Sequence, residues 1–285
     1  MGYSKALVTI LQTITMHISI AGLGWLGLPL ATHLQGKGQH IVGTCRDGDK
    51  AASLLARGIA ALPFRLSDRL DTNILAPLFQ SQLLILNIPP GKHSANQDYQ
   101  SRMQQLIAFA KAQGVEKILF ISSTAVYGDT AGIVTENSAT QANTASAQAH
   151  VAIEQTVIDT FGTGGGILRL AGLVGGERNP ARHLAGRSAL ANPRQKVNLL
   201  HRDDVISAID AIIGQDKFGA VMHLSAHDHP SRKEYYQWAA RQLGLAEPGF
   251  LTDETHNTGK QIDSHWTCQQ LGLSLKYPSP FDMLK

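Results

Sequence analysis

Two cysteines in 285 residues, Cys45 and Cys268, are too few for a disulfide framework or a cysteine-built metal cage. One bridge between them is the only cross-link of that kind the chain allows. Such scarcity fits a reducing compartment, and a cytoplasmic location is the expectation. Charge is also sparse, at 16% of residues, and aromatics reach only 6%. The net charge of +3 comes from scattered Lys and Arg rather than a basic run interleaved with aromatics, so nucleic acid is not an expected partner. No stretch approaches the roughly 18 consecutive apolar residues of a membrane span, and no membrane partner is expected either.

What the chain does have is 43% hydrophobic residues, enough at this length to bury a sizeable core in one large α/β domain or in a core domain plus a smaller one. Met16 stands immediately before the first strand, so residues 1–15 read as a non-native amino-terminal extension rather than as a signal peptide. Their apolar part is short, interrupted by Thr9, Gln12 and Thr13, and lacks a small-x-small cleavage site. From His17 to about Leu170, strand-like and helix-like patterns alternate, which predicts a doubly wound parallel sheet with helices on both faces, a Rossmann arrangement. The alternation loosens from Gly172 onward, so the boundaries read as a core domain over 16–172, completed by about 198–225, with 173–197 and 226–285 forming a smaller carboxyl-terminal part.

The most informative stretch is the apolar run His17–Ala21 leading into Gly22-Leu23-Gly24-Trp25-Leu26-Gly27 and then a helical pattern. In a GxGxxG between strand and helix, Gly22 permits the tight turn, Gly24 lets backbone approach a pyrophosphate, and Gly27 lets helix pack on strand. Trp25 and Leu26 fill the variable positions beside the phosphate, and the exposed N–H groups opening the helix meet its charge. The second strand, His40–Thr44, ends about 20 residues on, where this fold reads the ribose. It is followed by Cys45-Arg46-Asp47. Arg46 points to NADP through a 2′-phosphate, with NAD as the alternative if Asp47 takes the ribose instead; ordinary solvated loop charges would also explain the pair.

Ala61–Leu66 is a short third strand, and Pro63 within it suits an edge position. Gln82–Asn87 is a buried parallel strand that stops at Ile88-Pro89-Pro90, so the chain leaves the sheet at its carboxyl edge, where ligands bind. Asn87, Ile88 and Pro89 are therefore expected to line the cofactor groove. Tyr99, Met103, Leu106, Ile107 and Ala110 recur at helical spacing and read as core. After them, strand Lys117–Ile121 opens into Ser122-Ser123-Thr124-Ala125-Val126-Tyr127-Gly128-Asp129, placing hydroxyls at the ligand crevice.

With GLGWLG, SSTAVYGD, Ile167–Gly175 (ILRLAGLVG) and Asn198–Val205 (NLLHRDDV), the chain resembles the short-chain dehydrogenase/reductase superfamily in its extended, epimerase/dehydratase-like branch. Most of residues 16–285 take part. The detail is similar to a small bacterial subgroup sharing the GLGWLG and RLAGLVG wording. The branch usually begins its glycine pattern one residue earlier, where Ala21 stands here. The resemblance implies a nicotinamide dinucleotide, hydride transfer on a small hydroxyl- or carbonyl-bearing metabolite, possible nucleotide linkage of that substrate, and homodimerisation.

The resemblance also implies a catalytic Ser or Thr, matched by Ser123, and a Tyr-x-x-x-Lys on the next helix, Ala145–Phe161. Glu154 matches the glutamate that follows the lysine by four residues, which puts Ser146 in the tyrosine's place and His150 in the lysine's. A serine hydroxyl is too weak an acid to stand in unassisted. His150, one turn away, could assist it. A Ser123–Ser146–His150 relay is one reading; the plainer one has His150 only bonding the cofactor ribose. Tyr127 is a second candidate acid, with a structural turn tyrosine as its competing explanation. Loss of the Tyr and Lys also leaves open a dinucleotide-binding sensor or scaffold without turnover.

Arg178, Arg182, His183 and Arg187 gather in a Gly-, Asn- and Pro-rich segment and could clamp a phosphate or carboxylate, although a solvated loop explains them equally well. Asp203 or Asp204 is read as the cap of the helix that follows. His227-Asp228-His229 resembles metal-ligand spacing only superficially, lacking any paired cluster elsewhere, and no metal is expected.

Overall fold

The computed structural model describes residues 15–66, 70–91, 96–252 and 258–284. The amino-terminal extension, apart from Thr15, lies outside these residues. Strand β1 (His17–Ala21) runs through the glycine turn into α1 (Gly27–Gly36), followed by β2 (His40–Cys45), α2 (Gly48–Ala56) and β3 (Ala60–Pro63). Next come α3 (Thr72–Phe79), β4 (Leu83–Leu86), α4 (Asn96–Ala112), β5 (Lys117–Ser123), β6 (Gly132–Val134) and α5 (Ala145–Phe161). The remainder is β7 (Gly165–Leu170), β8 (Gly172–Val174), α6 (Ala181–Leu184), β9 (Leu199–His201), α7 (Arg202–Gly214), β10 (Val221–Leu224), α8 (Arg232–Gln242), β11 (Lys260–Ile262) and α9 (His265–Leu271).

Seven of these strands form one parallel sheet in the order β10-β7-β5-β4-β1-β2-β3. This is the doubly wound, Rossmann-type sheet predicted by the alternation. Its central strands are buried on both faces, so successive side chains divide between two cores. Ile18, Ile20, Leu83, Ile85 and Leu119 pack with α1, α2 and α7 on one face, whereas Leu84, Leu86, Ile118 and Phe120 pack with α3, α4 and α5 on the other. Full burial of each such aliphatic side chain contributes about 1.5–3 kcal/mol. Tyr99, Met103, Leu106, Ile107 and Ala110 are all in the second core, as expected. Pro63 ends β3 at the sheet edge, where its missing N–H costs no central ladder bond.

Strand order reverses between β1 and β4, and the crevice at that reversal holds the glycine turn. Beyond the sheet, β6 pairs with β11 and β8 pairs with β9 as two small parallel ladders. A third apolar cluster, including Val174, Val197, Leu199, Tyr235 and Ala239, packs around β8 and β9, while Val134 of β6 and Ile262 of β11 pack with Val126 and Tyr127.

One expectation is corrected. Neither Asp203 nor Asp204 caps α7; the cap is His201, whose Nδ1 accepts from the Asp203 N–H at 3.2 Å. Asp204 is 1% exposed and accepts from the backbone N–H groups of Lys276 and Tyr277 at 2.7 and 3.1 Å, fastening the terminal segment to α7. Cys45 and Cys268 are both buried and free, so the bridge between them is not made.

Candidate functional site

The glycine turn is built as its pattern requires. Gly22 has φ +111°, and a Cβ there would lie 2.6 Å from the Asn87 carbonyl oxygen. At Gly27 a Cβ would collide with the Gly22 carbonyl, so α1 can approach β1 only through a glycine. Gly24 differs from both, because a Cβ there meets nothing within 4 Å. The protein itself does not demand that glycine, and the space beside it is open to a ligand. No side chain caps α1 and no acidic residue stands in its first turn, which leaves the positive end of the helix uncompensated. These features fit a pyrophosphate. Leu26 is in the core, so only its backbone borders this space, whereas Trp25 is half-buried at the surface.

Neighbouring strand ends hold the turn in shape. The Gly22 N–H donates to Thr44 Oγ1 at 3.0 Å, and Asn87 Nδ2 donates to the Gly22 carbonyl at 3.0 Å. Asn87 thus lies at the groove but spends its amide N–H on the turn. The Ile88 carbonyl accepts from the Tyr99 hydroxyl at 2.8 Å, and Pro89 is exposed beyond it. Burial pushes the Tyr99 phenol up, keeping it a neutral donor. Arg46 is exposed immediately after β2. Asp47 is committed locally: it caps α2 by accepting from the Lys50 N–H at 2.9 Å, while Lys50 Nζ donates to the Leu23 carbonyl at 2.9 Å.

The catalytic candidates are only partly brought together. Ser123, at the end of β5, accepts from the Ala125 N–H at 3.2 Å and keeps its own hydroxyl proton available. His150 is 9% exposed, its ring beside those of Phe120 at 5.6 Å and Tyr99 at 5.9 Å. Its Nδ1–H donates to the Ser146 carbonyl at 2.8 Å, which leaves Nε2 as its remaining polar atom. The Ser146 hydroxyl lies 3.4 Å from Thr144 Oγ1. Among the described residues no hydrogen bond joins the side chains of Ser123, Ser146 and His150. The His150–Ser146 link runs through backbone instead, because an i, i+4 histidine can reach the preceding turn's carbonyl.

Tyr127 is wholly buried and belongs to a different structure, one that sequence reasoning missed. In register across the sheet, Ser122 pairs with Arg169 and Arg169 with His223. Arg169 Nε and Nη2 bind both oxygens of Glu154, at 3.0 Å to Oε1 and 2.7 Å to Oε2, and the Ser122 hydroxyl donates to Oε1 at 2.6 Å. Arg169 Nη1 donates to the Tyr127 oxygen at 3.0 Å, and Tyr127 O–H donates to His223 Nδ1 at 2.9 Å. His223 Nε2–H then donates to the Asp263 carbonyl at 2.7 Å, with a Glu136 oxygen at 3.3 Å. Each donor in this chain has an acceptor only when His223 is neutral. Burial agrees, lowering the His223 pKa and raising that of Tyr127. The available signals were single polar residues inside apolar runs: Arg169 in ILRL and His223 in VMHL.

Two cations of the 175–193 segment are directed to different partners. Arg182 pairs at 3.6 Å with the exposed Glu177, whereas Arg178 lies over Trp25. Among the described residues no group of three or more His, Cys, Asp or Glu side chains is placed to hold a metal ion. The His227 ring lies tilted beside that of His265, their centroids 4.7 Å apart. No helix among the described residues is long and apolar enough to cross a membrane.

Comparison with known proteins agrees with this geometry. Residues 18–222 match the model of the NAD dependent epimerase/dehydratase family. The chain is 36% identical to Protein YeeZ of Escherichia coli strain K12, over 93% of this chain and 98% of that protein. Its fold is similar to that of the UDP-glucuronic acid 4-epimerase of Bacillus cereus in complex with NAD, with a TM-score of 0.77 at 18% identity, covering 94% and 96% of the two chains. It is likewise similar to Bordetella bronchiseptica WbmG in complex with NAD and UDP, with a TM-score of 0.79 at 17% identity, covering 96% and 93%.

Proposed function

The chain belongs to the NAD dependent epimerase/dehydratase family, and from that premise we propose that it is a dinucleotide-dependent enzyme acting by hydride transfer on a small hydroxyl- or carbonyl-bearing metabolite, one linked to a nucleotide. The observation that carries this reading is the glycine turn, where Gly24 opens on free space beside an uncapped α1. Gly22, Gly24 and Gly27 would hold the pyrophosphate by backbone N–H groups, with Asn87 keeping the turn in shape. When bound, a nicotinamide dinucleotide supplies a hydride acceptor or donor. The similarity to nucleotide-sugar epimerase folds supports the nucleotide-linked substrate class. Residues 173–197 and 226–285 would cover the crevice as a substrate lid, a role supported by their separate apolar cluster.

Two of the chain's own residues would position the reactants. Ser123 retains a donor hydroxyl at the carboxyl end of β5, and His150 offers Nε2 after spending Nδ1 on the Ser146 carbonyl. In this proposal His150 bonds the cofactor ribose, with Ser123 orienting the reacting oxygen. NADP is the favoured form: Arg46 is exposed at the end of β2, while Asp47 is committed to capping α2.

Titration with NADPH and NADH, followed by labelled-hydride transfer to a panel of free and nucleotide-linked carbonyl compounds, tests this. Submicromolar to micromolar binding with transfer to at least one substrate is expected. Tight binding without transfer to any would overturn the enzyme in favour of a sensor, and absence of dinucleotide binding would remove both.

A further inference from the structure

Two arginines from the carboxyl-terminal half stand over the aromatic residue of the glycine turn. Arg178 closes a tight reversal with Gly175 through reciprocal backbone bonds of 3.0 and 3.2 Å, and its guanidinium lies 4.9 Å from the Trp25 ring centroid. Arg202, the first residue of α7, brings a second guanidinium to 5.1 Å from the same centroid.

Neither guanidinium makes an ion pair or a side-chain hydrogen bond among the described residues, and Arg202 Nε is buried without an acceptor. The carboxylates next to them in sequence are directed elsewhere, Glu177 to Arg182 at 3.6 Å and Asp203 to Lys276 at 3.4 Å. Two like charges therefore share one indole with no carboxylate between them. The ring's π-face offsets part of their repulsion, and a ligand anion would offset the rest. Trp25 adjoins Gly24, where the backbone faces open space at the positive end of α1. Three sources of positive potential thus converge at one place, on elements from opposite ends of the sequence.

We propose that Arg178 and Arg202, held in place by Trp25, form a clamp for a diphosphate lying on the glycine turn. The guanidinium fork matches pairs of phosphate oxygens, and stacking on an indole orients that fork before the anion arrives. The diphosphate belongs either to the dinucleotide or to a nucleotide-linked substrate. The inference rests on the functional reading above for the identity of the turn, and it adds that the 175–178 reversal and the start of α7 are tied to that turn through the anion.

Calorimetric titration of the full chain with NADH, NADPH, ADP and UDP, with phosphate-free adenosine as reference, tests the clamp across a salt series. The variants are Arg178→Ala, Arg202→Gln and Arg202→Lys, each checked by circular dichroism. Because Arg178 is exposed, its variant decides the matter if those at Arg202 fail to fold. Each arginine removed is expected to weaken at least one diphosphate ligand by about tenfold or more and to reduce the salt dependence of its binding, with adenosine affinity unchanged. Loss confined to NADH and NADPH assigns the clamp to the cofactor, and loss confined to UDP assigns it to the substrate. Wild-type affinity for every diphosphate ligand in folded Arg178→Ala overturns the clamp and leaves the functional reading standing. A wild-type chain that binds ADP or UDP through these arginines but no dinucleotide overturns the functional reading alone, and one that binds no diphosphate overturns both.

Discussion

Replacing Arg169 by Met tests whether the buried polar chain holds α5, and with it His150, against the sheet. The Arg169 and Glu154 side chains are 8% and 4% exposed, and the guanidinium meets both carboxylate oxygens. Methionine fills similar space but leaves a buried carboxylate whose only remaining side-chain donor among the described residues is the Ser122 hydroxyl. Breaking one partner of a buried pair costs about 3–5 kcal/mol, because the other charge stays desolvated. For a chain of this size, each kcal/mol lowers the melting temperature by roughly 2–4 °C, so a fall of about 6–20 °C is expected. The assay is thermal and urea unfolding of wild type, Arg169→Met, and Arg169→Met combined with Glu154→Leu. The double variant removes the orphaned charge and should regain much of the loss. A single variant within about 1 kcal/mol of wild type, or a double variant less stable than the single, would refute the reasoning.

Other expectations follow from the same geometry. Gly24→Ala should leave the melting temperature unchanged, since its Cβ meets nothing within 4 Å, but weaken dinucleotide binding in a calorimetric titration about tenfold or more. Gly22→Ala, at φ +111° and against the Asn87 carbonyl, should instead destabilise by more than about 1 kcal/mol in urea unfolding. Stability should also fall in acid. Burial lowers the His223 pKa below 6.5, so the unfolded chain binds more protons there, and the unfolding free energy declines as pH drops from about 6.5 through the lowered value. One histidine can contribute at most about 1.4 kcal/mol per pH unit, and His223→Gln should flatten the slope by up to that amount. His150→Ala should weaken dinucleotide binding and leave turnover at saturating cofactor unchanged; lost turnover at unchanged affinity would instead favour the proton relay.

Which features could be read in advance follows from the range over which each is encoded. Alternating apolar periodicity is local, and it identified the parallel sheet, the edge position of Pro63 and the core stripe from Tyr99 to Ala110. The glycine turn was legible for a related reason: the positive φ of Gly22 and the close approach of Gly27 to the Gly22 carbonyl are set within a few residues, at the junction of β1 and α1. The span of α5, Ala145–Phe161, and the presence of His150 on it were likewise visible in the chain.

Tertiary structure decided what those residues do. The i, i+4 spacing placed Ser146 and His150 together, but folding joined them through a backbone carbonyl rather than the serine hydroxyl. Tyr127 read as a candidate acid or as a structural turn tyrosine; tertiary structure buries it against Arg169 and His223 as part of a polar chain. Asp203 and Asp204 looked like caps, yet His201 reached the orphan N–H first, and Asp204 bound a segment more than 70 residues away. Sequence alone therefore determined the sheet, the turn and the residue types at its mouth, since propensity and periodicity act between near neighbours. The register aligning Ser122, Arg169 and His223, and the approach of Arg178 and Arg202 to Trp25, depend on contacts between distant segments, which exist only once the core has brought the strands side by side.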